Sequence, residues 1–232
     1  MTEIWFRIAR AYGIVVAMAS FETRAKPHQR RNIRQFMFGQ LDRDLTEEQR
    51  AEADAWNDEH FRWIVHPNRR PSLKWVLDTA EVAVVRANAR VLVIDPWNRL
   101  ESDRPDRQRE TEYISQALDE ILDFARDMRC HVMIIAHPAK AMSPEQRKYR
   151  PALEDIAGSK AWDTKTDLGL CVHRPVMFKD GERQTEAQLH VLKSRFDELG
   201  YPCVLDLDYD LKTGCYRSTD YRMAYEPRGN AA

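Results

Sequence analysis

Short apolar runs that end in a polar side chain dominate the pattern of hydrophobic positions over the first 140 residues. The three runs, with the polar residue at each end, are 14–21 with Glu22, 91–94 with Asp95, and 132–136 with His137. Continuous apolar runs of this length are typical of strands that are buried on both faces of a parallel sheet. The pattern therefore predicts three parallel strands in the first 140 residues.

The stretches between these strands have helical character. Residues 3–12, 72–88 and 107–130 carry apolar side chains at the spacing of an amphipathic helix. Residues 24–60 are highly charged and are predicted to be helical, whereas residues 62–67 are predicted to form a short strand. Alternating strands and helices favour right-handed crossovers, with helices on both faces of the sheet.

The second half of the chain has a different pattern. A polar stretch over 138–160 predicts a loop, and three further strands are predicted over 167–174, 186–196 and 201–210. The links between these last strands are short and rich in turn residues, which favours antiparallel pairing. We expect an α/β fold with a mainly parallel central sheet and an antiparallel C-terminal extension.

Composition adds few constraints. In the 232 residues, 36 Lys and Arg nearly balance 37 Asp and Glu, so net charge neither requires nor excludes nucleic acid. The four cysteines are widely spaced, which favours reduced thiols and a cytoplasmic location. No apolar run nears the roughly 20 residues that cross a bilayer, so no membrane partner is expected. We expect one domain over 1–221 and a mobile tail over 222–232.

The polar residues at the strand ends are the first candidates for chemistry, since ligands bind at the carboxyl ends of strands in open α/β sheets. Asp95 can hold a Mg²⁺ ion that bridges phosphates, or it can simply cap the next turn. Glu22 can orient and deprotonate water, or be an exposed strand-end residue. His137 can donate a hydrogen bond to a phosphate, or have a structural role.

Basic residues in the second half are further candidates. Lys193 and Arg195 lie two apart on a predicted strand and so share a face, which could reach a neighbour's nucleotide or be solvated. The segment 155–167 could hold a single-stranded phosphate backbone, or be an ordinary loop. Its small residues, its lysines and the aromatic Trp162 suit such a contact, and the candidate contacts are Gly158, Ser159, Lys160 and Lys165. The basic run over 24–34 favours a solvated or subunit-facing helix surface.

The order and spacing of these segments resemble the ATPase domain of DnaB-type and Twinkle-like replicative helicases, the RecA-like ring helicases of superfamily 4. The resemblance is greatest to primase-helicase relatives carried by phages and prophages. The matching segments are 18–22, 91–101, 132–140, 155–174, 191–200 and 208–216. This resemblance implies a RecA-like P-loop NTPase fold.

The resemblance also implies roles for individual residues. Glu22 matches the catalytic glutamate, Asp95 the Walker B aspartate that holds Mg²⁺ through water, and His137 the γ-phosphate sensor. Lys193 and Arg195 match the basic pair that reaches the adjacent subunit's ATP, with Arg195 as the arginine finger. The stretch 155–165 matches the loop that lines the DNA channel, where Lys160 and Lys165 would contact phosphates.

The partners that the resemblance implies are ATP with Mg²⁺, single-stranded DNA, other copies of the chain in a ring of six, and a primase. The implied activity is ATP-driven unwinding of duplex DNA. Two alternatives stay open. The chain could be another RecA-like ATPase of the recombinase type, or a non-catalytic module that binds DNA or supports assembly.

One part of the family pattern is missing from the sequence. No G-x-x-x-x-G-K-[ST] phosphate loop occurs, and Met1 falls inside the helix that such a loop would precede. The core strand ahead of that loop is not present either, so one sheet edge is expected to be exposed. Without the loop, the β- and γ-phosphates have no strong anchor, and we expect this polypeptide alone to hydrolyse ATP very poorly.

Overall fold

The computed structural model describes residues 2–66, 70–102, 104–138, 150–156, 158, 160–174, 176, 178–179 and 181–218. The predicted tail, Ser159 and most of the predicted loop over 138–160 lie outside the described residues. The helices are α1 (Thr2–Tyr12), α2 (Arg30–Phe38), α3 (Glu47–His60), α4 (Leu73–Ala87), α5 (Glu110–Asp127) and α6 (Ala161–Lys165). The strands are β1 (Val15–Ser20), β2 (Phe61–Trp63), β3 (Ala89–Asp95), β4 (His131–Ile134), β5 (Leu168–His173), β6 (Phe178–Lys179), β7 (Glu182–Arg183), β8 (Glu186–Ser194), β9 (Cys203–Asp210) and β10 (Cys215–Ser218).

A four-stranded parallel sheet forms the centre of the first half, in the order β2-β1-β3-β4. Ser20 of β1 is in register with Asp95 of β3, and Ile94 is in register with Ile134 of β4. The three strands predicted from the apolar runs are therefore neighbours. Because they are parallel, their carboxyl ends lie at one edge of the sheet.

Helices cover both faces of this sheet, as the sequence predicted. Val16 and Met18 of β1 are fully buried against α1 and α2, where Phe6 and Ile33 belong to the same cluster. The alternate residues of β1 contribute to a second cluster, which the helices α4 and α5 complete from the opposite face. This division follows from the period of two along a strand, which sends successive side chains to opposite faces.

Local signals in the sequence set the ends of two helices. α1 ends at Gly13, whose φ of 63° is in the left-handed region that glycine adopts without strain. α4 begins after Ser72, whose hydroxyl accepts a hydrogen bond from the Trp75 N–H. These ends determine where the chain enters β1 and where α4 starts to cross the sheet.

The strands of the second half form a separate four-stranded antiparallel sheet in the order β10-β9-β8-β5. The predicted antiparallel pairing is confirmed, and β10 is an addition that the sequence did not indicate because Cys215–Ser218 is short and mostly polar. A two-stranded hairpin of β6 and β7 occupies the link before β8.

The basic run of residues 24–34 is partly neutralised within the chain. Arg34 of α2 pairs with Asp54 of α3 at 2.7 Å and with Asp42 at 3.2 Å, and Arg30 also pairs with Asp54. Burial alone would raise the pKa of Asp54, but hydrogen bonds from both arginines outweigh it and lower that pKa to about 2. The surface is less basic than the run of residues suggests.

Asp54→Asn is expected to lower the free energy of unfolding by about 2 kcal/mol at neutral pH, because two arginines lose their shared partner. The native pKa lies below the ordinary value of 3.8. The stabilisation is therefore complete above pH 3.8 and disappears as the pH falls through about 2. Urea unfolding of both proteins across this range measures the difference.

Asp78→Asn is the matched control, since Asp78 pairs with Lys74 at an exposed position on one helix. Such pairs contribute roughly 0–1 kcal/mol. An equal loss in both variants, or a loss at Asp54 that does not shrink at low pH, would contradict the prediction.

Candidate functional site

The structure brings together the three polar residues that end the parallel strands. Asp95 closes β3, while Glu22 and His137 lie two and three residues beyond β1 and β4. Nε2 of His137 is 3.4 Å from Oε2 of Glu22, and the charges of both act on Asp95. The side chains of Glu22 and His137 are exposed, so this group of three, the strand-edge site, is open to a ligand from solvent.

A short turn over Trp97–Arg99 supports the strand-edge site. The backbone N–H of Trp97 donates to the Ile135 carbonyl at 2.8 Å, and the His137 N–H donates to Oδ1 of Asn98 at 3.1 Å. The Arg99 guanidinium lies 3.8 Å from the Glu22 carboxylate. Sequence reasoning missed Asn98 and Arg99, although their position within four residues of Asp95 was an available signal.

Burial and nearby charges both act on the carboxyl group of Asp95. Burial raises its pKa above the ordinary value, the nearby Glu22 carboxylate raises it further, and His137 opposes the shift. The carboxylates of Asp95 and Glu22 repel one another, and a cation bound beside them would reduce this repulsion. The described residues contain no cluster of three or more His, Cys, Asp or Glu that could hold a metal ion. The two carboxylates of the strand-edge site nevertheless fit Mg²⁺, because this ion keeps several of its waters and takes only one or two protein carboxylates.

The predicted basic pair lies at the end of β8 and contacts the α6 region. The Lys193 ammonium contacts the backbone carbonyl of Asp163 and lies 3.8 Å from its carboxylate. The Arg195 guanidinium donates to the Thr164 carbonyl at 2.6 Å and pairs with Asp167 at 2.7 Å. Both basic side chains therefore lie on the same side of the antiparallel sheet, as their spacing predicted.

The candidate DNA segment, residues 155–165, includes α6 as its second half, and its two lysines differ. Lys160 precedes the helix and is exposed. Lys165 is held against α5, where its ammonium donates to the carbonyl and hydroxyl of Ser115 at 2.8 Å each and pairs with Asp119 at 2.6 Å. Gly158 has a φ of 94° and packs so closely on α5 that a side chain would collide with Ile114. Of the two lysines, Lys160 is the better placed to meet a ligand.

One aromatic contact joins the α6 region to the turn behind the strand-edge site. Trp162 of α6 is 3% exposed, and its ring meets that of Trp97 edge to face, with centroids 5.4 Å apart and planes at 85°. The sequence suggested Trp162 as the aromatic residue of the DNA segment, whereas the structure buries it against Trp97, which is far away along the chain.

Comparison with known proteins identifies the family. Residues 9–212 match the model of the DnaB-like helicase C-terminal domain. The chain belongs to this family. The family assignment made from the sequence is confirmed, and the family model matches most of the length of this DnaB-like domain.

A plant protein is a similar relative of this DnaB-like domain. The Twinkle homolog protein of Arabidopsis thaliana, described as chloroplastic/mitochondrial, is 34% identical over 209 residues. The match covers 86% of the chain and 29% of the relative, so the chain spans less than a third of that protein's length.

Two solved structures share the fold. A DnaB-like replicative helicase, solved in a study of its interactions with primase, superposes with a TM-score of 0.69 at 18% identity, covering 89% of this chain and 51% of that one. A solved ATPase domain superposes with the same TM-score at 16% identity, covering 90% of this chain and 76% of that one. The predicted RecA-like α/β fold is confirmed. Within the described ranges, no helix of this DnaB-like domain is long and apolar enough to cross a membrane.

Proposed function

We propose that this domain is the motor of a ring-forming replicative DNA helicase that unwinds duplex DNA by hydrolysing ATP. The observation that carries the proposal is the meeting of Glu22, Asp95 and His137 at the carboxyl edge of three neighbouring parallel strands. This edge is where open α/β sheets bind their ligands. Membership in the DnaB-like family supports the same activity.

The three residues supply complementary chemistry. Glu22, exposed and 3.4 Å from His137, is placed to orient an attacking water and accept its proton. The imidazole of His137 can donate a hydrogen bond to a terminal phosphate and lose it on phosphate release. Asp95 would hold Mg²⁺ through a water shell, and the ion would neutralise charge on the phosphates.

Arg195 and Lys193 are proposed to act on the nucleotide of the neighbouring copy. Arg195 is 43% exposed in its pair with Asp167. Exposed pairs of this kind contribute roughly 0–1 kcal/mol, so the contact does not prevent Arg195 from turning toward a phosphate.

The assembly that we propose is a ring of six copies of the chain, with a primase as a further partner. We also propose that the protein is encoded by a bacterium or a phage and is located in the cytoplasm.

Single-stranded DNA is proposed to contact the segment 155–165, with Gly158, Ser159, Lys160 and Lys165 as the candidate residues. The contacts of Lys165 with Ser115 and Asp119 favour Lys160 as the residue that meets a phosphate. A non-catalytic module that binds DNA remains the second candidate function, because the sequence contains no phosphate-loop motif.

Lys160→Ala is expected to weaken oligo-dT binding by this domain and to reduce the salt dependence by about 0.7 of a unit in slope, the value for one single-strand phosphate contact. Lys165→Ala compares the second candidate lysine, whose ammonium is held by Ser115 and Asp119. It is expected to lower stability and to lose less affinity than Lys160→Ala. Fluorescence anisotropy at several salt concentrations measures both.

A larger loss of affinity in Lys165→Ala than in Lys160→Ala would contradict the prediction, because Lys165 would then be the main DNA contact. If the wild-type domain has no affinity for oligo-dT, the helicase proposal and the DNA-binding module both fail.

A further inference from the structure

The candidate DNA segment and the strand-edge site lie on different parts of the fold, and the described contacts suggest how they are joined. α6 follows directly after Lys160, and Trp162 on this helix meets the ring of Trp97 edge to face. Trp97 begins the turn behind the strand-edge site. The two tryptophans are therefore a direct contact between the element that carries the DNA segment and the turn that supports Glu22 and His137.

Each residue of the turn has a separate contact. Trp97 faces α6, Asn98 accepts the hydrogen bond of the His137 N–H, and Arg99 lies 3.8 Å from Glu22. The Trp97 N–H also holds the turn to the Ile135 carbonyl. Because these three residues form one short helical turn, a contact that moves the backbone of Trp97 would also move Asn98 and Arg99.

α6 itself has little freedom to absorb a movement. Trp162 is buried, and Lys165 is fixed to α5 through Ser115 and Asp119. Edge-to-face aromatic pairs have a preferred geometry, so one ring constrains the other. A ligand that shifts the start of α6 therefore acts on Trp97 through packed side chains, which is the physical form that coupling between sites requires.

We propose that Trp97 and Trp162 are positioning residues that couple DNA binding before α6 to the placement of His137 and Glu22. The inference rests on the proposed function, since it needs DNA at the Lys160 segment. Trp97 acts through Asn98 and Arg99 and need not touch a nucleotide itself. DNA bound before α6 would change the hydrogen bond between Asn98 and His137 and so alter the group placed to meet the terminal phosphate.

The experiment follows the imidazole resonances of the whole 232-residue domain by NMR, with and without saturating oligo-dT. In the wild-type protein the resonance of His137 is expected to move, while that of His190, in the antiparallel sheet, stays in place. In Trp97→Leu the affinity for oligo-dT is expected to remain and the movement of His137 to be lost. Trp97→Phe, which keeps a ring against Trp162, is expected to retain the movement.

Two further variants guard against a general loss of structure. Trp75→Leu makes the same truncation in α4, at a tryptophan that packs against His66 in the same hydrophobic core. It is expected to retain the movement of His137. Asn98→Ala removes the exposed side chain that accepts the hydrogen bond of the His137 N–H, and it leaves both aromatic rings in place. It is expected to lose the movement, and it serves in place of Trp97→Leu if that variant does not fold.

The outcomes separate this inference from the proposed function. If oligo-dT does not bind the wild-type domain, the proposed function fails and the coupling fails with it. If oligo-dT binds the wild-type domain but the His137 resonance does not move, the coupling is overturned and DNA binding stands. The same conclusion follows if the resonance moves as far in Trp97→Leu and Asn98→Ala as in the wild-type protein. An equal loss in Trp75→Leu would also overturn it, because the effect would then be unspecific.

Discussion

Arg195→Ala is expected to lower DNA-stimulated ATP turnover by roughly 10³-fold or more in a form of this domain that can bind ATP firmly. Such a form, the loop-restored form, has a strand and a G-x-x-x-x-G-K-[ST] loop fused ahead of α1. The reason for the large effect is that an arginine finger neutralises charge that develops on the transferred phosphate, and positioning and charge neutralisation supply most of the catalysis of phosphoryl transfer.

Mixing two inactive variants tests whether Arg195 acts across subunits. Glu22→Gln lacks the water-activating carboxylate but keeps Arg195, whereas Arg195→Ala keeps Glu22. In a mixed ring, some sites combine an intact Glu22 with an intact Arg195 from the neighbour. Part of the turnover should therefore return on mixing, as measured by phosphate release.

Arg126→Ala is the control for loss of an exposed arginine, because Arg126 pairs only with Asp123 on the surface of α5 among the residues described. It should retain wild-type turnover. If the two inactive variants demonstrably assemble together and no activity returns, Arg195 does not act in trans. Its contacts with Thr164 and Asp167 would then describe a structural role.

The 232-residue polypeptide without an added loop is expected to hydrolyse ATP at least about 10³-fold more slowly than the loop-restored form. The strand-edge site offers carboxylates and an imidazole, but the sequence provides no glycine-rich N–H cradle or phosphate-loop lysine. Glu22 could then activate water, yet no group would hold the β- and γ-phosphates in line with it. A phosphate-release assay with and without oligo-dT measures both proteins.

Glu22→Gln in the unmodified polypeptide controls for a contaminating ATPase, since any residual turnover that survives this change does not come from the strand-edge site. Fast DNA-stimulated turnover that Glu22→Gln abolishes would show that the chain anchors phosphates by other groups. Binding of oligo-dT without measurable binding of ATP would favour the non-catalytic module.

The sequence by itself determined the parallel sheet and the strand-edge site. The apolar runs that form β1, β3 and β4 are hydrophobic enough to require burial on both faces, so they indicated neighbouring parallel strands. Parallel strands share the edge at which they end, so the sequence alone indicated that Glu22, Asp95 and His137 lie close together. The order of the segments then carried the family assignment, which the comparisons confirm.

Only the tertiary structure decided how the long polar side chains are used. Lys160 and Lys165 look equivalent along the chain, but Lys165 is bound to α5 and Lys160 is exposed. Likewise, Arg30 and Arg34 belong to a basic run that contains no acidic residue, yet both pair with Asp54 on another helix. The physical reason is that periodicity is a local property, whereas the partner of a flexible charged side chain depends on which distant elements pack beside it. The contact between Trp97 and Trp162 has the same origin, because it exists only after α6 packs against the end of the parallel sheet.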